Sequence, residues 1–200
     1  ARLDRDLRQK GTILVLRSGP PDVELDRLVA QTGATGLYYA KRYEPLARRQ
    51  EADVDARLQE LLDIHAFDDS LLNHTERVMT GSGTPYREFT QFCKSSVSVG
   101  DPPLPQPIPE KIGLARHTLD SLSLSDLRLR PTGPVWAQGL RDTWEPGESN
   151  GLRRIDDIED VARQYDKSRD RPDLDATSRL SPYLHFGEVS IRQVWHSLHQ

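Results

Sequence analysis

The chain has 200 residues, of which 36% are hydrophobic and 29% are charged, a composition typical of a soluble globular protein. Its formal net charge of −4 argues against nucleic-acid binding through overall basic character, although a local basic patch is compatible with it. No apolar run reaches the roughly 20 residues of a membrane span, and we expect no secretory signal. The single cysteine, Cys93, excludes an intramolecular disulfide and favours a cytoplasmic location, and no metal site is expected.

The first hundred residues alternate between strand and helix patterns. Two predicted strands are short apolar runs with β-branched or aromatic residues, at 12–16 and 36–40, and a third strand is expected near 67–72. Helical patterns separate them, the first ending at Gly33 and the second starting near Pro45. This order predicts a Rossmann-like α/β fold with a parallel sheet. Because the chain opens on a helix, we expect the sheet to be incomplete, without its N-terminal strand.

The composition changes before the middle of the chain. Residues 97–112 contain five prolines and no periodic apolar face, which predicts an extended linker. The less regular sequence up to residue 150 is expected to continue this connection between two domains. Helical patterns return from 151 onward, where Ser181 and Ser190 are each predicted to cap a helix.

The segment Thr177-Ser178-Arg179-Leu180-Ser181 carries the strongest functional signal. Three hydroxyls and one guanidinium lie within five residues, directly before a predicted helix start. Unpaired backbone N–H groups at such a start, together with hydroxyl donors, can bind a phosphate or a diphosphate. Taken by itself, the pattern is more commonly ordinary helix capping with no ligand.

The stretch ATSRLSPYLHFGEVSIRQVWH, residues 176–196, closely resembles the segment that opens the flavin pocket of DNA photolyases and cryptochromes. TGSGTPYREFTQFCK at 80–94, LRQKGTILVLRSGPP and YAKRYEPLARRQ resemble further parts of that family, in the family's order. The resemblance implies three segments: 1–96 from the α/β antenna domain, lacking its N-terminal strand; 97–150 as interdomain linker; and 151–200 as the first helices of an all-α FAD-binding domain, truncated at its end.

The resemblance also implies roles for individual residues. The family's phosphate-binding segment for flavin adenine dinucleotide (FAD) corresponds to Thr177, Ser178, Leu180 and Ser181, with Arg179 inside the same run. A tyrosine twelve residues before the threonine contacts the cofactor in the family, which implies Tyr165. An arginine four residues after that tyrosine approaches DNA in bacterial members, which implies Arg169. The alternatives are that Tyr165 merely ends an apolar helix face and that Arg169 is a solvated charge.

The antenna pigment is the second cofactor that the resemblance implies. Folate-binding relatives carry an Asn-Glu pair shortly after the Tyr-Glu of this region, whereas Leu46 and Ala47 follow Tyr43-Glu44-Pro45 here. Neither Leu46 nor Ala47 can supply polar contacts. A deazaflavin antenna is therefore favoured over folate, and the absence of any antenna stays open.

The resemblance implies a deoxyribodipyrimidine photolyase, a lyase that repairs pyrimidine dimers in DNA with blue light and FAD, within a monomeric parent protein. No catalytic residue is expected in this chain, and we expect the chain alone to be inactive. Two alternatives stay open: a cryptochrome-type blue-light photoreceptor and a non-catalytic truncated remnant.

Overall fold

The computed structural model describes residues 2–113, 119–129, 133 and 137–199. None of the helices in these ranges combines the length and the apolar character that a bilayer span requires. The contacts within the chain define two compact units. The first, the α/β unit, comprises Ala1–Phe67 and Pro107–Glu145, and the second, the helical unit, comprises Asp68–Gln106 and Pro146–Gln200.

The described elements follow one another in the order that the sequence pattern suggests for most of the chain. They are α1 (Arg2–Gln9), α2 (Pro21–Thr32), β1 (Gly36–Ala40), α3 (Pro45–Leu58), β2 (Asp63–Phe67), a 3₁₀ turn (Thr75–Arg77), α4 (Phe89–Ser98), α5 (Gln138–Thr143), α6 (Glu148–Asp156), α7 (Ile158–Ser168), α8 (Ser181–His185) and α9 (Ile191–Leu198). Gly33 ends α2 in the left-handed conformation, and Pro45 starts α3, as predicted.

The two strands form a parallel sheet in which Gly36 lies opposite Asp63 and Ala40 opposite Phe67. Helices α2 and α3 cover one face of it, around a core whose centre is the fully buried Leu58. Removing such a leucine from water contributes about 1.5–3 kcal/mol. The strand–helix–strand connection with a parallel sheet confirms the predicted α/β class.

Residues 12–16 were predicted to form a strand, and the structure shows them as coil. Their backbone bonds go to other partners: the Leu16 N–H donates to Ser121 Oγ at 2.9 Å, and the Leu122 N–H donates to the Leu16 carbonyl at 2.9 Å. An apolar run becomes a strand only beside another strand, and the described residues offer none here. The last predicted strand lies at Asp63–Phe67 rather than near 67–72, because Ile64 and Ala66 alternate inward along that stretch.

The helical unit packs α6, α7 and α9 together. Ile155 and Ile158 are buried at the junction of α6 and α7, and Val194 is buried on α9. Gly151 lets the α6 backbone approach its neighbours, since a Cβ there would lie 2.6 Å from Val189 Cγ1. The helical part of the predicted fold class is thus confirmed, and these helices provide the core in which the segment Thr177–Ser181 is anchored.

Candidate functional site

The segment Thr177–Ser181 is an irregular stretch that leads into α8. Leu180 is only 3% exposed and anchors the segment in the helical unit, together with the buried Tyr183. The side chains of Thr177 and Ser181 face solvent, and those of Ser178 and Arg179 are half-buried. One buried apolar anchor therefore holds a short run of polar groups at the surface.

The hydroxyls of this segment are largely unused by the protein itself. Ser178 Oγ accepts a hydrogen bond from the Leu180 N–H at 3.5 Å. Within the described ranges, the hydroxyls of Thr177 and Ser181 have no hydrogen-bond partner. These groups are consequently available to donate to a bound anion.

The prediction that Ser181 caps α8 is wrong. Leu180 occupies the cap position with helical backbone angles (φ −80°, ψ −15°), and no side chain caps this helix. Ser181 is already the first helical residue, and a cap requires extended backbone so that its oxygen reaches forward to the second or third N–H. Capping alone therefore does not explain the hydroxyls of this segment.

Arg179 adopts a left-handed backbone with φ 51°. Its Nε lies 2.8 Å from Asp175 Oδ1, with the arginine side chain 32% and the aspartate side chain 59% exposed. Asp175 was not singled out in the sequence, although opposite charges four residues apart were the available signal. The ion pair closes a loop of five residues that contains Thr177 and Ser178.

Tyr165 and Arg169 lie together at the C-terminal end of α7. The guanidinium carbon of Arg169 lies 5.5 Å from the centroid of the Tyr165 ring, a cation–π arrangement that contributes about 0.5–1 kcal/mol at an exposed site. Tyr165 is 44% exposed, and Arg169 Nε lies 3.5 Å from Asp170 Oδ1. In the part of the chain that the structure describes, no hydrogen bond, ion pair or ring contact joins this pair to Thr177–Ser181.

The α/β unit contains an open cavity of about 240 Å³ between α2, β1 and α3. Leu37 and Val54 contribute apolar walls, and Arg42 contributes charge, its Nε 2.9 Å from Glu51 Oε1. Tyr39 also lines it and donates to both carboxylate oxygens of Asp55 at 3.0 Å. Burial, and then the bond to Asp55, raise the pKa of Tyr39 to about 12.

Two further features bear on cofactors and metals. Leu46 is 76% exposed and Ala47 is 8% exposed, so the positions that follow the Tyr-Glu pair present no polar side chain. Among the described residues, no group of three or more histidine, cysteine, aspartate or glutamate side chains could hold a metal ion.

The model of the family described as DNA photolyase matches residues 1–110. This match covers more than half of the 200 residues, and the chain belongs to the DNA photolyase family. The family resemblance in the sequence is thereby confirmed.

Individual relatives are similar over almost the whole chain. The chain is 35% identical over 199 residues to a deoxyribodipyrimidine photo-lyase of Agrobacterium fabrum, covering 98% of the chain and 42% of that protein. It is 32% identical over 203 residues to cryptochrome-1 of Arabidopsis thaliana, covering 98% of the chain and 29% of that protein. The crystal structure of a bacterial class III photolyase from Agrobacterium tumefaciens matches with a TM-score of 0.93 and 34% identity, covering 98% of the chain and 41% of that structure. The chain therefore spans less than half the length of these relatives.

Proposed function

We propose that this chain supplies the phosphate-binding wall of the FAD site in a light-driven deoxyribodipyrimidine photolyase. The observation that carries the proposal is that the hydroxyls of Thr177 and Ser181 have no partner among the described residues, in a segment anchored by buried Leu180. The family to which the chain belongs and its photo-lyase relatives support this choice of ligand and reaction.

The donor set of the segment fits a diphosphate. Phosphate oxygens accept hydrogen bonds, and charge-assisted bonds from hydroxyl or guanidinium donors are stronger than neutral ones. Thr177, Ser178 and Ser181 would donate from their hydroxyls, Arg179 would add positive charge, and Leu180 would fix the position of the segment. When bound, reduced FAD supplies the light absorption and the electron for dimer cleavage, whereas the protein binds and orients the cofactor.

Tyr165 and Arg169 would serve the same site from α7. We propose that Tyr165 contacts the FAD and that Arg169, held against the Tyr165 ring, contacts a phosphate of damaged DNA. Phosphate contacts position a protein on DNA without reading its sequence. The net charge of −4 agrees with such a local contact better than with a broad basic surface.

The proposal extends to the division of the chain: 1–96 from the antenna domain, 97–150 as linker and 151–200 from the FAD domain. Each of the two compact units is made of two separate stretches of the chain, and the boundaries at 96 and 150 stay predictions. For the antenna, a deazaflavin is favoured over folate because Leu46 and Ala47 carry no polar group. A repair partner, a monomeric state and a cytoplasmic location likewise stay predictions.

A blue-light photoreceptor is the second candidate, and the similarity to cryptochrome-1 favours it. The two functions differ in their dependence on damaged DNA. Because the chain spans under half of its relatives' length, we expect it to bind FAD without repairing DNA by itself. A photoreceptor or a non-catalytic remnant would show no preference for DNA that contains pyrimidine dimers.

The proposal is tested by FAD binding to the purified 200-residue chain, measured by fluorescence and equilibrium dialysis. We expect the Thr177→Ala/Ser178→Ala double variant to lose binding. A matched control, Thr90→Ala/Ser98→Ala, removes the same two hydroxyl types from exposed positions of α4 and should bind normally. Equal binding by both double variants, or no binding by the unmodified chain, would contradict the proposal for this chain.

A further inference from the structure

The backbone at Arg179 needs a structural explanation. Among the described residues, only Arg128 and Arg179 combine a side chain with a positive φ, at 47° and 51°. An L-residue in this conformation places its Cβ close to the following carbonyl oxygen, which disfavours it relative to glycine. Interactions around Arg179 must therefore hold the left-handed turn in place.

Asp175 provides such an interaction. Its Oδ1 lies 2.8 Å from Arg179 Nε, and the pair bridges the loop from 175 to 179. The turn at Arg179 separates Ser178 from the buried Leu180, so its φ sets the direction in which Thr177 and Ser178 leave the core. Releasing the turn would change where these hydroxyls point while Leu180 stays anchored.

Electrostatics alone predicts the opposite role for this carboxylate. A negative charge next to a diphosphate site repels the ligand and neutralises Arg179, so its removal should strengthen anion binding. A role in holding the backbone predicts weaker binding after its removal. The two explanations therefore differ in the sign of the effect.

We propose that Asp175 is a positioning residue for the FAD phosphates: through its ion pair with Arg179 it holds the left-handed turn that presents the hydroxyls of Thr177 and Ser178. This inference rests on the proposed FAD site. In this role Asp175 would act through Arg179 rather than by binding the cofactor.

A double-mutant cycle on the full 200-residue chain tests it, with FAD affinity as the measurement. Asp175→Asn should weaken FAD binding by roughly two- to fivefold, the equilibrium effect of an exposed ion pair. Glycine adopts positive φ without a restraint, so adding Asp175→Asn to Arg179→Gly should leave the affinity of the Arg179→Gly chain unchanged. Tighter binding by Asp175→Asn, no change in it, or the same loss in both backgrounds would overturn the inference.

A second readout requires no flavin. The distance between the amide proton and Hα of residue 179, measured by NMR, is shorter at positive φ than at negative φ. We expect Asp175→Asn to lengthen this distance and Asp173→Asn, which removes a nearby carboxylate paired with Arg171, to leave it unchanged. An unchanged distance in Asp175→Asn would overturn this inference alone, whereas an unmodified chain that fails to bind FAD would overturn the proposed function.

Discussion

A serine lies at the start of both α8 and α9, but in different positions: Ser181 is the first residue of α8, whereas Ser190 directly precedes α9 and caps it. Ser190 has an extended backbone (φ −96°, ψ 151°), and its Oγ accepts the Gln193 N–H at 3.2 Å. The Gln193 side chain accepts the Ser190 N–H at 2.8 Å, which completes a capping box. Ser181 lies inside α8, and its hydroxyl stays unpartnered in the described part of the chain.

Packing takes the place of capping at the start of α8. Leu180 and Tyr183 are 3% and 4% exposed, and Tyr183 Cδ1 lies within 3.2 Å of the position that a Cβ on Gly151 would occupy. Such burial holds this helix of five residues, which is too short to be stable by itself. The difference between the two starts shows how a protein can keep a hydroxyl free: it stabilises the local backbone by other means.

The largest expected effect tests the role of packing at α8. Leu180→Ala should lower the free energy of unfolding by about 2–5 kcal/mol, because it leaves a cavity at a buried position. Urea unfolding followed by circular dichroism measures this change. Leu174→Ala is the matched control, since Leu174 is 47% exposed and its truncation should cost far less. A cost for Leu180→Ala no greater than that of the control would contradict packing as the support of α8.

The second largest effect on stability is expected at the cap of α9. Ser190→Ala should destabilise the chain by about 1 kcal/mol, because it removes the acceptor for the Gln193 N–H. Ser190→Asp retains an acceptor and should restore most of the stability. If alanine and aspartate were equally stable in urea unfolding, the capping box would contribute nothing measurable.

Ser181 should show the smallest effect on stability. Ser181→Ala is expected to change the free energy of unfolding by less than about 0.5 kcal/mol, because its hydroxyl lies at the surface and has no partner in the ranges that the structure describes. The same substitution should weaken FAD binding by roughly tenfold, the loss of one hydrogen bond to a charged group. Destabilisation equal to that of Ser190→Ala, with unchanged FAD affinity, would mean that Ser181 has an ordinary structural role.

Local sequence signals predicted the features that depend on neighbouring residues. The stop at Gly33, the start at Pro45 and the cap at Ser190 each follow from the backbone preferences of one residue, and the structure confirms them. The prediction of a strand at 12–16 was wrong, because a strand needs a neighbouring strand, which the residues of the run itself do not specify. Ser181 was misassigned since its role depends on where Leu180 and Tyr183 are buried.

In the candidate site, too, some features could be predicted from the sequence and others could not. Family resemblance identified Thr177–Ser181 from residue types alone, and membership of the family is confirmed. The ion pair from Asp175 to Arg179 was not predicted: the opposite charges four residues apart were a signal for it, but the left-handed turn at Arg179 was not visible in the residue types. The functional roles of Tyr165 and Arg169 stay predictions, although their contact agrees with the spacing of four residues.

The bond from Tyr39 to Asp55 gives the α/β unit an optical indicator of its own folding. Folding raises the pKa of this phenol from 10.0 to about 12. The protonated Tyr39 hydroxyl therefore contributes fully to the stability of the fold below pH 10, and this contribution is lost as the pH rises toward 12. Tyrosinate absorbs near the red edge of the protein spectrum, so an alkaline titration should show an ionisation step of Tyr39 near pH 12. Tyr39→Phe should abolish that late step, whereas Tyr38→Phe, on the exposed face of the same strand, should retain it. The absence of a step near pH 12 from the unmodified chain would mean that α3 leaves the sheet before the Tyr39 phenol loses its proton.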